Sequence, residues 1–375
     1  MAVLNEEQTM LRDAAKSWAQ ETSPVSKLRA LRDSGSGAPF DAAAWVEMGQ
    51  MGWAGVIVPE EHGGSAFGYL SLGLILEETG RTLTASPLLS TALIGASALT
   101  LGGSDAQKAA WLPKIAEGTV VTALAVDEAS HHAPERIALK AEKSGDGYAL
   151  TGKKTFVIDG DAADLLIVAA RTSGKPGETA GITLFLVDPK AAGVSRKHLA
   201  LADSRGAAEI TFSGAAGEVL GAVDTGWDVL EPVLDRARIG LSAEMLGSAL
   251  QAFEITLDYL KTRTQFGQVI GTFQSLQHRA AKMFTDLETT RSCIEAALEA
   301  IDAGSTDNRA AASIAKCKAS ELAHLVTNEM VQMHGGIGMT DVHDAGLFLK
   351  RARVTEQLFG GAGYHRDRFA TVSGF

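Results

Sequence analysis

The chain has 375 residues, of which 46% are hydrophobic and 21% are charged, with 40 glycines and 9 prolines. This composition excludes a disordered, collagen-like or coiled-coil protein, and the length exceeds what one hydrophobic core usually fills, so two or three packed units are expected. The formal net charge of -11 argues against a nucleic acid partner, because binding to a phosphate backbone relies on a surplus of Lys and Arg.

The two cysteines and the first residues of the chain bear on its cellular location. Cys293 and Cys317 lie in an alanine-rich helical pattern without metal-ligand partners nearby, which favours a reduced, cytoplasmic setting. The sequence MAVLNEEQTMLRDAAKSW starts acidic and amphipathic, so no signal peptide is expected. No uncharged stretch is long enough to span a bilayer, so no membrane span is expected either.

Taken in order, the predicted elements divide the chain into three parts. Apolar residues recur at helical spacing before residue 119, which predicts an N-terminal helical domain over residues 1–118. Short runs rich in Val, Ile, Thr and Phe follow, among them VVTALAV, GYALTGKKTFVI and DLLIVAAR, and they predict a small middle β-barrel or sandwich over residues 119–222. Long helical patterns then return and predict a C-terminal four-helix bundle over residues 223–375. The predicted fold class is α+β.

Common catalytic templates are missing from the sequence. It contains no G-x-S-x-G elbow, no Walker-type phosphate loop and no C-x-x-C pair. The spacing of His131, His132 and Glu135 fits no common metal template, so no metal site is predicted. The glycine-rich segment HGGIGMT follows a helix rather than a strand, and on its own it is typical of a helix stop followed by a turn.

The segment TRTQFGQVIGTFQSLQ is more informative. Arg263 lies at the end of a long helical pattern, Phe266 and Gly267 break it, and Gln274 and Gln277 are one turn apart on the next helix. An exposed arginine followed by amide side chains can bind a diphosphate and a polar heterocycle. The same pattern also fits a helix terminus that caps itself, and spacing alone slightly favours this second interpretation.

Four stretches of the sequence resemble the acyl-CoA dehydrogenase family. RTQFGQVIGTFQSLQ resembles its flavin-binding signature, and QMHGGIGMT resembles its second signature. GYALTGKKTFVIDGDAADLLIVAART is similar to its middle-domain hairpin, and EVLGAVDTGWDVLEPVLDRARIGLSAEMLG is similar to the passage into its long central helix. The resemblance covers almost the whole chain and implies the acyl-CoA dehydrogenase fold, an FAD cofactor and α,β-desaturation of an acyl-CoA thioester. It also implies a tetramer, since flavin contacts come from two chains, and an electron-transferring flavoprotein as acceptor.

The resemblance implies roles for ten residues at the FAD. One group would contact the diphosphate and adenine side of an FAD held mainly by a neighbouring subunit, and a second group would face the flavin ring. The diphosphate and adenine group comprises Arg263, Phe266, Gln274, Gln332, Gly335 and Gly336. The ring group comprises Val126 and Asp127 at the pyrimidine edge and Phe156 and Ile158 at the flavin face. For the substrate, Asp235 and Arg238 match a D-x-x-R element near the thioester and CoA.

The family's reaction also needs a glutamate that removes the α-proton of the substrate. In most members this glutamate follows the last core helix, at the position that Phe359 occupies here. In a second group it directly precedes the arginine of the D-x-x-R element, where this chain has Ala237. Both positions therefore lack a carboxylate. Asp127 and Ile158 also depart from the family, because each replaces a hydroxyl residue that contacts the flavin.

Three interpretations remain open. The chain could be the base-lacking subunit of a heteromeric acyl-CoA dehydrogenase of the kind found in bacterial steroid degradation, with a homologous catalytic subunit in a heterotetramer; its LFGGAGYHR resembles the tails of such subunits. It could be an active homotetramer with a relocated base, either Glu244, two turns beyond Ala237 on the same helical face, or Glu356, three residues before Phe359. Both glutamates could equally be structural. It could also be a flavin- or acyl-CoA-binding protein without dehydrogenase activity.

Overall fold

The computed structural model describes residues 3–145 and 147–375 of the chain. Two compact units are present. Unit 1 comprises Met1–Ala30, Tyr69–Thr84 and Arg238–Phe375, and unit 2 comprises Leu31–Gly68 and Ala85–Ala237. The domain limits expected from the sequence, 1–118, 119–222 and 223–375, stay predictions; the helices before residue 119 are divided between the two units.

Helices make up most of the secondary structure. In the part of the chain that the structure describes, the α-helices are α1 (Glu6–Glu21), α2 (Val25–Asp33), α3 (Ala42–Gln50), α4 (Tyr69–Arg81), α5 (Ala96–Gly102), α6 (Asp105–Ala116), α7 (Trp227–Thr262), α8 (Gln274–Asp302), α9 (Arg309–His334), α10 (Ala345–Gln357) and α11 (Ala362–Val372). A π-helical segment, Leu88–Gly95, leads into α5. The long helices predicted after residue 222 are confirmed as α7, α8 and α9. No helix among the described residues is long and apolar enough to cross a bilayer.

Within unit 1, polar side chains fix where the helices begin. Asn5 caps α1, since its side chain accepts from the Gln8 N–H while the Gln8 side chain accepts from the Asn5 N–H. The start of α4 is capped from a distant part of the chain: the Asp302 carboxylate accepts from the backbone N–H groups of Tyr69 and Leu70 at 2.6 and 2.8 Å. This carboxylate satisfies two of the donors that a helix N-terminus leaves unpaired.

The strands of unit 2 form a small barrel. The strands are β1 (Thr122–Ala125), β2 (Lys140–Ser144), β3 (Gly147–Ile158), β4 (Leu165–Arg171), β5 (Ile182–Val187), β6 (Val194–His198) and β7 (Ala207–Leu220). Strands β3, β7, β5 and β4 pair antiparallel in turn, and β2 pairs with β3 and also meets β4 in parallel, which closes the ring; β1 and β6 are added to β4 and β7. Leu150, Phe185 and Phe212 lie in the barrel's apolar core. The small middle β-barrel or sandwich predicted from the sequence is confirmed, and it has the barrel form.

Two strands were not predicted. Both β2 and β6 lie outside the apolar runs, since most of their side chains are exposed or half-buried. They are identified by their pairing with β3 and β7 rather than by their own composition. A third pairing, between β8 (Thr264–Gln265) and β9 (Gln268–Val269), forms a short hairpin in unit 1.

Candidate functional site

The hairpin after α7 presents the residues of the first signature to solvent. Arg263 continues the helix by one backbone hydrogen bond to Tyr259, and its carbonyl then accepts from the N–H of Ile270 across the hairpin. Phe266 and Gly267 form the tip with φ of 52° and 78°. The Phe266 side chain is 90% exposed, and within the described residues no ion pair or hydrogen bond is made by the Arg263 guanidinium. The tip therefore offers an unpaired cation beside an uncovered aromatic ring.

The glycine loop of the second signature follows α9. Gln332 is exposed in the last turn of that helix. Gly335 ends the helix with φ of 61°, and a Cβ built on Gly335 or Gly336 would meet no atom within 4 Å. The backbone of this loop is therefore open to close approach by a ligand.

The hairpin and the glycine loop follow two helix ends that contact each other. The Tyr259 hydroxyl near the end of α7 donates to the His334 carbonyl at the end of α9, at 3.4 Å, and the two rings lie 4.4 Å apart. Arg29 anchors the far side of the glycine loop through ion pairs with Asp341 and Asp344 at 3.1 and 2.6 Å. An exposed guanidinium, open glycine backbone and an exposed aromatic ring fit a diphosphate joined to a heterocycle.

Gln274 lies beyond the hairpin, as the first residue of α8. Its side chain is exposed, whereas Gln277, one turn later, donates from its side-chain amide to the Gly271 carbonyl at 2.9 Å. The two possible roles of this segment are therefore divided between the two glutamines: Gln277 braces the turn before α8, and Gln274 is free to face a ligand.

The barrel carries the residues expected at the flavin ring. Lys154 is fully buried and donates to the Val126 carbonyl at 2.8 Å and to Glu128 Oε1 at 2.7 Å; burial lowers the pKa of this lysine. The Asp127 carboxylate lies 2.9 and 3.0 Å from Nδ1 of His132, whose side chain is 2% exposed. Lys154 and His132 thus fix the loop after β1, and the Asp127 carboxylate already has a partner.

The barrel face expected to pack against the flavin ring lacks a hydrogen-bonding side chain at position 158. Phe156 is 42% exposed and has φ of 52°. Ile158 is half-buried and ends β3, and its side chain has no donor. The barrel therefore keeps an aromatic surface at this place but supplies no hydroxyl from position 158.

The two positions where the family carries its base hold apolar side chains. Ala237 is fully buried in α7, and Phe359 is half-buried in the turn after α10. The Phe359 carbonyl accepts from Arg238 Nε at 3.3 Å and from His365 Nε2 at 3.1 Å. Asp235 and Arg238 are both buried on α7, 2% and 1% exposed. The Arg238 guanidinium supports the turn after α10 through its contact with the Phe359 carbonyl.

Both alternative carboxylates are engaged in ion pairs. Oε1 of Glu244 accepts from two guanidinium nitrogens of Arg351 at 2.9 and 2.7 Å, and both side chains are 7% exposed. The Glu356 carboxylate pairs with Arg353 and lies 3.3 Å from Nδ1 of His324. These contacts give each glutamate a structural role.

Sequence reasoning missed the partners of these groups. Arg351 lies 107 residues from Glu244 in the chain. Lys316, which donates to the Glu356 carbonyl, lies in an alanine-rich helical pattern that suggests only packing. The sequence gives no reason to expect a buried His132, but its side chain is 2% exposed and lies against Asp127. Pairing with a residue distant in the chain leaves no local signal in the sequence.

Comparison with known proteins gives consistent matches along the chain. Models described as the N-terminal, middle and C-terminal domains of acyl-CoA dehydrogenase match residues 5–119, 127–214 and 224–373. Mitochondrial isovaleryl-CoA dehydrogenase of Pongo abelii is 32% identical over 371 residues, which cover 94% of this chain and 85% of the relative. A variant of the Tcur3481-Tcur3483 steroid ACAD superposes with a TM-score of 0.90 at 31% identity over 98% of both chains. The ChsE4-ChsE5 complex from Mycobacterium tuberculosis gives a TM-score of 0.90 at 25% identity over 100% of both chains.

Proposed function

Because the chain belongs to the acyl-CoA dehydrogenase family of FAD-dependent CH-CH oxidoreductases, we propose that it is the base-lacking subunit of a heteromeric acyl-CoA dehydrogenase. One observation carries the proposal. The loops expected at the FAD diphosphate are open and unpaired, whereas Phe359 and Ala237 leave both base positions without a carboxylate.

The exposed loops of unit 1 fit one end of FAD. Arg263 would pair with the diphosphate, Phe266 would pack on the adenine side, and Gln274 would lie beside it. Gly335 and Gly336 would let the cofactor approach the backbone, with Gln332 next to them. When bound, FAD would supply the hydride acceptor for the oxidation of the acyl-CoA. These side chains would hold the cofactor and leave proton removal to another chain.

The barrel fits the other end of FAD less well. Asp127 is paired with His132, and Ile158 offers no donor. A carboxylate and an alkyl group thus stand where the family uses hydroxyls. This difference supports a chain that completes a flavin site on a partner subunit more than one that serves a flavin of its own.

The engaged carboxylates argue against a relocated base. Glu244 would have to give up a buried pair with Arg351 before it could take a proton, and removing one member of a buried ion pair is strongly destabilising. Glu356 is held by Arg353 and His324. A homotetramer with either residue as base is therefore the less supported alternative.

Similarity to two solved structures bears on partner and substrate. The first is named a steroid ACAD, and its name joins two proteins, Tcur3481 and Tcur3483. The second is named a complex of ChsE4 and ChsE5. We propose by analogy a homologous catalytic subunit that carries the glutamate, a bulky acyl-CoA substrate and an electron-transferring flavoprotein as acceptor.

The first experiment is a visible spectrum of the chain expressed alone, followed by anaerobic titration with acyl-CoAs that include steroid side-chain thioesters. We expect flavin that is absent or does not bleach. Co-expression with a homologous subunit that carries the glutamate should give a complex whose flavin bleaches. Stoichiometric FAD that bleaches in the chain alone would overturn the proposal, and Glu244 and Glu356 would then be the first residues to replace.

A further inference from the structure

The turn after α10 has a backbone conformation that needs support. Phe359 has φ of 57° and Gly360 has φ of 102°. A side chain in the left-handed region costs about 1 kcal/mol and persists only where surrounding structure enforces it. Gly360 is required here, since a Cβ on it would lie 2.3 Å from the Tyr364 ring.

A buried lysine on α9 lies directly beneath this turn. Lys316 is fully buried, and its Nζ donates to the Glu356 carbonyl at 3.2 Å, the Gly360 carbonyl at 3.1 Å and Ser320 Oγ at 3.0 Å. The protonated amine has three N–H donors for these three oxygens, and the neutral amine keeps two. The lysine thereby ties both ends of the turn to α9.

Two further basic side chains hold the middle of the turn. Arg238 on α7 and His365 on α11 both donate to the Phe359 carbonyl. The contacts that these three side chains make with the turn all reach main-chain oxygens, so they do not depend on which side chain stands at position 359. Lys316 differs from the other two because it bridges the end of α10 to Gly360.

We propose that Lys316 is a positioning residue that fixes the main chain of residues 356–360 and so sets the place of the Phe359 side chain. We call the three contacts of Lys316 with Glu356, Gly360 and Ser320 the clamp. The inference goes beyond the proposed function, because the clamp is the same whether this chain or its partner supplies a base. It can be tested without cofactor, substrate or partner, so its failure would leave the proposed function untouched.

Proton binding provides a signature of this clamp. Burial lowers the pKa of Lys316 to about 7, with Arg238 on α7 lowering it further and Glu356 on α10 and Cys317 on α9 raising it. Arg353 and His324 both contact Glu356. On α11, the pKa of His365 is held to about 2 by burial and by Arg238, Lys316 and Arg368, so this ring stays neutral near pH 7.

The sign of the pH effect follows from linkage. Opening the turn exposes the amine to water, where its pKa returns towards the ordinary value of 10.5. The open turn therefore binds a proton more tightly than the closed turn, and opening becomes harder as the pH rises above 7.

The test is amide hydrogen exchange of the peptide that spans residues 356–361, with protection normalised to unstructured rates. In the wild-type chain we expect the opening constant to be level below about pH 6 and to fall by up to about tenfold per pH unit above about pH 7.5. Lys316→Met should remove this slope. At about pH 8.5 the variant should open at least about tenfold more readily, since two carbonyls lose their donor.

Lys318→Met is the matched control, because Lys318 is two residues further along α9, is partly exposed and lies 3.9 Å from Glu321. It should keep the wild-type slope. A wild-type peptide whose opening constant does not change with pH would overturn the proposal, and this outcome does not require any variant to fold. A Lys316→Met chain that folds and keeps the slope would also overturn it.

Discussion

A buried ion pair decides what one of the candidate bases can do. Glu244 is engaged by two nitrogens of Arg351 in the interior of unit 1. A carboxylate in this position stabilises the fold only as long as its partner is present, because an unpaired guanidinium in the interior has lost water without compensation. The residue that best matched a relocated base by helical spacing therefore has a packing role.

Replacing Glu244 tests this role. Glu244→Ala should lower the free energy of unfolding by about 3 kcal/mol, because it leaves Arg351 buried without its carboxylate. Urea unfolding followed by circular dichroism measures the change. Glu254→Ala is the control on the same helix, since Glu254 is half exposed, and it should cost less than about 1 kcal/mol. A Glu244 variant with unchanged stability but no flavin bleaching in the assembled enzyme would instead identify a base.

His365 gives a second prediction at this scale. Its folded pKa is depressed to about 2, first by burial and then by neighbouring cations, from 6.5. The folded chain therefore binds fewer protons than the unfolded chain below pH 6.5, and stability falls with acid by on the order of 1 kcal/mol per pH unit. His365→Asn should flatten this slope, as measured by urea unfolding across that range. The exposed His324 is the control, and an equal flattening in His324→Asn would contradict the assignment.

The helix α4 shows how a buried charge affects a whole element. It packs against α1 and α8 in unit 1, and its start is capped by Asp302 from the end of α8. Glu77 in its third turn lies 3.4 Å from Arg291 of α8. Burial raises the pKa of Glu77 to about 7, with Glu78 adding to the rise and Arg291 opposing it.

Glu77 should make the packing of α4 sensitive to alkali. A raised carboxyl pKa means that the folded chain binds the proton more tightly than the unfolded chain, so the stability contribution is present below pH 4.5 and is lost as the pH rises through 7. Glu77→Gln has no proton to lose. Between about pH 5 and pH 8 the variant should gain on the order of 2 kcal/mol relative to the wild type. Thermal unfolding at both pH values measures this, and the exposed Glu299→Gln should show no such gain.

Elements differ in how far the sequence could predict them. The helices α7, α8 and α9 follow from unbroken apolar periodicity, and Gly335 marks a helix end by its positive φ. The strands β2 and β6 could not be found in this way, because their side chains are mostly exposed and their pairing supplies the order. The π-helical segment Leu88–Gly95 also has no local signal, since all eight of its residues are buried and apolar or small.

For the whole molecule, the open loops of unit 1 are the feature that the proposed assembly uses. Phe266 at the hairpin tip is 90% exposed, and Met339 in the glycine loop is 80% exposed. Exposed apolar groups mark interaction sites where they form one patch. A partner's cofactor and the partner's own surface would cover both.

Retention of FAD by the assembled enzyme tests this arrangement. Arg263→Ala should lower the apparent affinity for FAD at least about tenfold, because a charge-assisted contact to the diphosphate is lost. The ratio of FAD to protein after gel filtration should fall as a result. Absorbance of the flavin band measures the ratio. Lys261→Ala is the matched control, since Lys261 is exposed two residues earlier and pairs with Asp258. Equal loss of FAD from both variants would mean that general surface charge, and not Arg263, retains the cofactor.

The candidate site was predictable where its signals are local. Arg263, Phe266, Gly335 and Gly336 lie in short motifs, and all four residues are exposed. The groups that support the Phe359 turn were not predictable, because Arg238 and Lys316 reach it from helices 121 and 44 residues away in the chain. A single sequence specifies such contacts only through the complete fold.

The division of the chain into two units has a consequence during synthesis. Unit 2 ends at Ala237, whereas unit 1 combines Met1–Ala30 and Tyr69–Thr84 with everything from Arg238 onward. Because a ribosome releases the N-terminus first, unit 2 has all of its residues while unit 1 still lacks most of its own. Gly73 of α4, which lies against Leu298 of α8, must therefore wait for the last third of the nascent chain before α8 can cover it.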